Sequence, residues 1–333
     1  MMRFVSAGIV ALVGIMPIAA AQPPSLEGAA QSAAALPRLR SLLVSHKDSL
    51  VLERYYNGAR ASQVTNIKSA SKSVVTTLVG IAISKGLIKN LEQPIVDFFP
   101  ELAKDPERGK REITIEDLVT MRSGLDSTSG RQYGAWVTSK NWVRYVLAQP
   151  LVDEPGTRVE YSTGTSHLLS AILTRAAKMS TWQFAQQELA RPLGFTLARW
   201  PQDPQGIYFG GNDMLMTPRQ MIAFGELYEN DGRAGDRQVV PKSWVARADD
   251  GVGRSRWGSD REYGYGFWIR DFAGHKSYYA WGYGGQFIFI VPDLDLVVVT
   301  TSRADVSTER RDHLGAIYDL VETQIVPAIR SRG

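Results

Sequence analysis

The chain has 333 residues, a formal charge of +4, 44% hydrophobic residues and no cysteine. That length carries one large domain or two modest ones with a sizeable core, and the composition is that of a globular protein. Without cysteine there are no disulfides, no lipid-attachment cysteine and no thiolate metal sites; without an arginine-lysine block, nucleic acid is not an expected partner.

The first residues read as a processing signal. Arg3 gives a short positive start, Val5 to Ile18 is apolar, and Ala19-Ala20-Ala21 offers a small-residue cleavage site before Gln22. The apolar run is too short to span a membrane, so residues 1–21 are expected to be a cleavable signal peptide. The mature protein is then expected to be secreted or periplasmic, with no stable membrane insertion. Residues 22–37, rich in Pro, Ala and Ser, read as a flexible leader.

Ser41–Ser45 and Ser49–Tyr56 read as two strands joined by His46-Lys47-Asp48, a hairpin. Asn57-Gly58 ends the second strand. A helix is expected from Ser69 to the stop at Gly86. It is apolar almost all round, as a buried core helix is. Yet it opens on Ser69 and Lys72, three positions apart and therefore neighbours on one face. An unpaired charged lysine in a core costs free energy. Two readings follow from the residues alone. Either Ser69 is an N-cap and Lys72 snorkels outward, or Ser69 is a nucleophile with Lys72 as a base beside it.

Residues 87–257 read as helices and long loops. Thr114 and Asp117 are spaced as a capping box at the start of a short helix, which Arg122-Ser123-Gly124 ends. Ser127 to Trp136 reads as a loop. Its Tyr133 and Trp136 are either a lid over the site or ordinary packing, and packing is the favoured reading. Helices are expected over Asn141–Ala148, Ser166–Lys178 and Trp182–Ala190. Thr217-Pro218-Arg219-Gln220 marks another helix start. Strands return at Tyr263–Ile269, Ser277–Trp281, Gln286–Val291 and Leu294–Thr301. Glu309 to Ile329 carries apolar residues at helical spacing. Two N-terminal and about four C-terminal strands can share one antiparallel sheet, with the helices between them forming a second lobe. The fold class is therefore α+β, with an active-site groove expected between the lobes.

Ser-x-x-Lys opening the first long helix, in this order of elements, resembles the β-lactamase-like serine hydrolases. Further stretches carry the resemblance: Val79-Gly80-Ile81-Ala82-Ile83, Met121-Arg122-Ser123-Gly124-Leu125 and Met216-Thr217-Pro218-Arg219. They look closest to the branch of class C β-lactamases, family VIII esterases and 6-aminohexanoate-dimer hydrolases. The resemblance implies a β-lactamase/transpeptidase-like domain over residues 38–331. One lobe would be built from about 38–90 and 258–331 and an all-helical lobe from about 91–257. It implies Ser69 as nucleophile and Lys72 as its proton partner, with no cofactor and no metal. The second motif of that group, Tyr-x-Asn, is matched by Tyr161-Ser162-Thr163. Tyr161 would move protons, and Thr163 stands where an amide would bind a substrate carbonyl. Whether Lys72 or Tyr161 is the acylation base stays open. The third motif is matched by Ala280-Trp281-Gly282. Gly282 would let substrate lie against the strand, and Trp281 would add an aromatic wall. The backbone N–H groups of Ser69 and Tyr283 would form the oxyanion hole.

Ala280 and Trp281 cannot make the charge-assisted bond that a third-motif cation offers a substrate carboxylate. The expected substrate is therefore a small ester or open-chain amide. The alternatives are a β-lactamase or D-alanyl-D-alanine peptidase, or a non-catalytic binder of cell-wall peptide. Other hydrolase classes lack their signatures. There is no Gly-x-Ser-x-Gly elbow, and His46, His167, His275 and His313 stand far apart without ligand spacing. His167 reads as a helix residue rather than a base.

Overall fold

The computed structural model describes residues 24–254 and 261–331. The expected signal peptide, residues 1–21, lies outside the described residues. Seven antiparallel strands form one sheet in the order Ser49–Tyr55, Leu39–His46, Leu296–Ser302, Gln286–Val291, His275–Gly282, Phe267–Phe272, Glu262–Gly264. Sequence ends therefore meet in the sheet: Leu43 pairs with Val299 and Val44 with Val298. The first hairpin turns on Lys47 and Asp48, both at positive φ, the conformation that matches strand twist in two-residue turns.

Period-two alternation divides the sheet into two buried faces. Leu43, Ile288, Ile290, Val297 and Val299 point to the core shared with the helical part of the chain. Leu42, Val44, Phe287, Phe289, Leu296 and Val298 point to a second core, covered by the terminal helices. With both faces covered, the central strands read as continuous apolar runs rather than alternating ones.

The helix Ser71–Ser84 is buried over twelve successive residues, Ser71 to Ala82. It packs on the helix Thr163–Ala177 on one side and on the strand His275–Gly282 on the other. It thus joins the helical part to the sheet, and its first turn faces the seam between them. The capping boxes at Thr114/Asp117 and Thr217/Gln220 form as the sequence predicts.

Four expectations are corrected. Residues 22–37 are not a flexible leader throughout: Leu26–Ala34 is a helix, with Ser25 accepting the Gly28 N–H at its start. Leu26, Ala29, Ala30 and Ala33 form its buried stripe at positions i, i+3, i+4 and i+7. Alanine is weakly apolar but the strongest helix former, so periodicity outweighs the loop-like composition. Tyr263–Ile269 is two strands, because Tyr265 and Gly266 both take positive φ and turn the chain back. The loop at Ser127–Trp136 contains a short helix, Tyr133–Val137. The closing helix is also interrupted: a π-type turn over Val321–Ile325 separates Arg310–Leu320 from Val326–Arg330.

Candidate active site

Ser69 lies in the middle of a 3₁₀ turn, Lys68–Ala70, that runs into the Ser71–Ser84 helix. Lys68 takes φ +54°, an uncommon conformation for a residue with a side chain. The turn is tied on both sides. Asn66 Oδ1 accepts the Lys68 N–H at 2.9 Å, and the Ser71 hydroxyl donates to the Lys68 carbonyl at 2.5 Å. Ile67 N–H donates to the Met214 carbonyl, and Met214 N–H to Ser71 Oγ, both at 3.0 Å. No side chain caps either the turn or the helix. Ser69 is therefore not an N-cap.

Lys72 does not snorkel. It is 1% exposed. Its Nζ donates to the Gly211 carbonyl at 2.6 Å and to Thr163 Oγ1 at 3.2 Å, and sits 4.8 Å from the centre of the Tyr161 ring. Burial lowers its pKa from 10.5 to about 7, against the opposing pull of Asp213. That carboxylate is engaged elsewhere, with Lys68 Nζ at 3.1 Å and Asn66 Nδ2 at 2.8 Å. A substantial neutral fraction of Lys72 thus exists near pH 7. A neutral amine has two N–H bonds and one lone pair. With the bonds spent on Thr163 and Gly211, the lone pair is left as the acceptor.

Tyr161 is set by an aromatic cluster. Its ring stacks on Trp268 (5.4 Å, 30°) and meets the edge of Tyr263 at 5.9 Å. Burial pushes its phenol well above the ordinary tyrosine range, and the facing Ser69 hydroxyl offsets this only in part. The phenol is therefore neutral at pH 7. Thr163 is the first residue of its helix, with Ser162 as N-cap. Ser129 holds it twice, accepting its N–H and sharing a hydrogen bond with its hydroxyl, each at 2.9 Å.

The strand ending at Gly282 runs beside the Lys68–Ala70 turn. A Cβ on Gly282 would stand 2.0 Å from the Ile67 carbonyl oxygen, so only glycine permits this approach. Tyr283 follows, with the Arg310 guanidinium 4.7 Å from its ring centre. The turn closes on Gly284 (φ +90°) and Gly285 (φ +112°). Trp281 stacks on Phe287 and meets Trp268 at 5.8 Å, so it reaches Tyr161 through Trp268.

Trp136 is fully buried against Trp142 and Phe209 and is a packing residue. Tyr133 is half-buried and accepts a hydrogen bond from Asn212 Nδ2 at 3.0 Å. The segment Gly211-Asn212-Asp213 is the part of the site that motif reading missed. It supplies the carbonyl for Lys72, an amide whose buried Oδ1 has no partner among the described residues, and the carboxylate on Lys68. Its sequence signal is the pair Gly210-Gly211. A Cβ on either would meet a backbone carbonyl of the Thr163–Ala177 helix, Ser166 or Thr163, at 2.4 and 2.5 Å.

A seven-stranded antiparallel sheet with a buried helix presenting Ser-x-x-Lys to a tyrosine is the arrangement of the β-lactamase/transpeptidase fold. The chain belongs to the Beta-lactamase family, whose sequence model matches residues 28–322. It is 25% identical over 284 residues to the 6-aminohexanoate-dimer hydrolase of Paenarthrobacter ureafaciens, covering 77% of this chain and 70% of that one. EstCE1, a hydrolase with promiscuous acyltransferase activity, superposes with a TM-score of 0.70 at 18% identity, over 88% of this chain and 97% of its own. The octameric penicillin-binding protein homologue of Pyrococcus abyssi gives 0.68 at 17% identity, over 90% and 76%. The family is hydrolytic and includes ester and amide hydrolases.

Proposed function

We propose that this protein is a serine hydrolase that cleaves a small ester or open-chain amide through an acyl-enzyme on Ser69. The observation that carries the reading is Lys72: a fully buried lysine with no carboxylate in contact among the described residues, held by two acceptors beside Tyr161 and one turn from Ser69. Such a lysine costs stability, and a base is what that cost provides.

In this mechanism the Ser69 oxygen attacks the substrate carbonyl as its proton passes to the Lys72 lone pair, directly or through the Tyr161 hydroxyl. Lys72 is the base, because the phenol of Tyr161 is too weakly acidic to stand ionised in this setting. The backbone N–H groups of Ser69 and Tyr283 hold the oxyanion. The carbonyl–leaving-group bond breaks as the proton returns to the departing oxygen or nitrogen. Water then attacks the acyl-enzyme, giving its proton to the same base, and the ester bond to Ser69 breaks as that proton passes from Lys72 to the serine oxygen. Thr163, Trp281 and Gly282 line the path of the substrate.

Neither Ala280 nor Trp281 itself carries a charge, which favours substrates without a carboxylate at that point. Two observations favour the β-lactamase or peptidase alternative: Arg310 stands over Tyr283, and the Arg261 guanidinium lies 5.6 Å from the Trp281 ring centre, so positive charge is offered next to the third motif. A panel on purified protein tests this, using a p-nitrophenyl ester, a linear amide dimer, nitrocefin and a D-Ala-D-Ala peptide, with Ser69→Ala as control. Ester or amide turnover without nitrocefin turnover is expected. Efficient nitrocefin turnover, lost in Arg310→Ala, would establish the alternative. No turnover and no labelling by a fluorophosphonate would leave a binder. Export by cleavage after Ala21 is part of the same proposal, and N-terminal sequencing of the mature protein tests it.

A further inference from the structure

We infer that the buried pair His167–Asp203, outside the motifs, is a positioning device for Lys72. It anchors the Gly210 amide and thereby sets the Gly211 carbonyl to which Lys72 donates. The inference rests on the reading of Lys72 as the base.

The geometry runs in one chain of contacts. His167 lies on the Thr163–Ala177 helix and is fully buried, as is the Asp203 carboxylate. Gly210 N–H donates to His167 Nδ1 at 3.3 Å. A ring nitrogen that accepts carries no proton, so the proton sits on Nε2, which is 3.1 Å from Asp203 Oδ2 and donates to it. Asp203 thus fixes the tautomer. Its other oxygen accepts the N–H groups of Gln205 and Ile207 at 2.8 and 2.9 Å, so the carboxylate is itself immobile.

The residues leading to Gly211 are pinned one after another. Ser170 holds the Tyr208 carbonyl at 2.6 Å and Trp200 Nε1 the Phe209 carbonyl at 3.0 Å. His167 holds the Gly210 N–H, and Lys72 takes the next carbonyl, that of Gly211, at 2.6 Å. The imidazole cannot rotate out of this role, because Trp142 and Phe209 pack against it at 5.3 and 5.9 Å. His167 needs the Nε2–H form, because the other form would set an N–H against the Gly210 N–H.

The consequence falls on Lys72. Its lone-pair direction is fixed by the two acceptors on Thr163 and Gly211. Displacing the Gly211 carbonyl swings the lone pair and removes an acceptor that favours the ammonium form. The titratable groups facing Lys72 are Tyr161 and Asp213, the latter paired with Lys68. The hydrogen bonds that link His167 to Lys72 run through Gly210 and Gly211, and Thr163, the other Lys72 acceptor, lies one turn before His167 on the same helix.

Two isosteres separate the roles. His167→Asn places an acceptor where Nδ1 was, and His167→Gln a donor where Nε2 was. The readouts are the Lys72 titration by NMR of protein carrying [ε-13C]lysine, assigned with Lys72→Arg, and the pH profile of ester turnover. His167→Gln is expected to move the Lys72 titration down by about half a pH unit or more and lower kcat about tenfold, with KM little changed. His167→Asn is expected to keep the native titration. Equal behaviour of the two variants, or a native titration in His167→Gln, overturns the inference. Should a variant fail to fold, 15N NMR of the native imidazole decides: a proton on Nδ1 of His167 overturns the inference and one on Nε2 upholds it. The lysine titration needs no turnover. A panel without activity but with the predicted titration difference would therefore reject the hydrolase reading and leave the positioning role standing.

Discussion

Replacing Lys72 by methionine is expected to abolish turnover and stabilise the fold, by an amount that depends on pH. The lysine is fully buried, and its pKa falls from 10.5 to about 7. A group whose pKa is depressed on folding binds more protons when unfolded, so stability rises with pH between the two values. For a lysine this means a penalty that is nearly complete below pH 7 and gone above pH 10.5. A difference of about 3.5 pH units corresponds to about 5 kcal/mol at pH 6, and to about 2 kcal/mol at pH 9. Methionine has a similar length and no charge. It leaves the Gly211 carbonyl without its donor, a loss of about 1–3 kcal/mol. The net gain at pH 6 is about 2–4 kcal/mol, and that gain shrinks by about 3 kcal/mol at pH 9. Urea unfolding of the two proteins at both pH values measures this, and titrations elsewhere in the chain cancel in the comparison. A Lys72→Met variant no more stable than the native protein at pH 6, or a gap unchanged between pH 6 and pH 9, would refute the buried, neutral lysine.

Other outcomes follow from the same geometry. The kcat/KM of the native enzyme on an uncharged ester should rise with pH through about 7 as Lys72 loses its proton, and a profile flat from pH 5 to 9 would exclude it as the base. Lys72→Ala and Tyr161→Phe should each lower turnover by about a hundredfold or more while circular dichroism stays native; near-native rates in either variant would remove that residue from the mechanism. Gly282→Ala forces a Cβ to within 2.0 Å of the Ile67 carbonyl, so the strand and the Ser69 turn must part. Turnover should fall at least about tenfold even where the melting temperature survives, as small displacements of catalytic groups produce. A chain starting at residue 38 should be about 3 kcal/mol less stable than one starting at residue 24, because it loses the buried face of Leu26, Ala29, Ala30 and Ala33. Equal denaturation midpoints would show that this helix contributes nothing.

Much of the architecture was legible because local chemistry and tertiary role agree. Thr114 and Asp117, or Thr217, Pro218 and Gln220, cap helices whatever surrounds them. The errors lie where local signals are weak. Tyr265-Gly266 is a two-residue turn without the Asn-Gly or Asp-Gly pair that usually marks one, so the sequence reads as one strand where the fold has two. Leu26–Ala34 has only one strongly apolar residue, and its alanine stripe gains meaning from the sheet face that covers it. At the site, Ser69, Lys72 and Tyr161 could be chosen from their spacing and context. Asn212, Asp213, Ser129 and His167 could not, since nothing in a sequence marks which distant segment packs against a lysine; the Gly211 carbonyl that Lys72 meets is 139 positions away.

The sequence by itself determined the family, most of the order of elements and candidate residues for the chemistry. Those are encoded in short spacings and apolar periods. Only the tertiary structure decided the state of Lys72. Its proton affinity depends on how completely water is excluded and on the Gly211 carbonyl and Asp213 carboxylate nearby, which the chain brings together from a distant loop. The same holds for Gly282, whose need for glycine is set by the Ile67 carbonyl across the seam. Desolvation and close approach are properties of a packed interior, and no window of the sequence contains them.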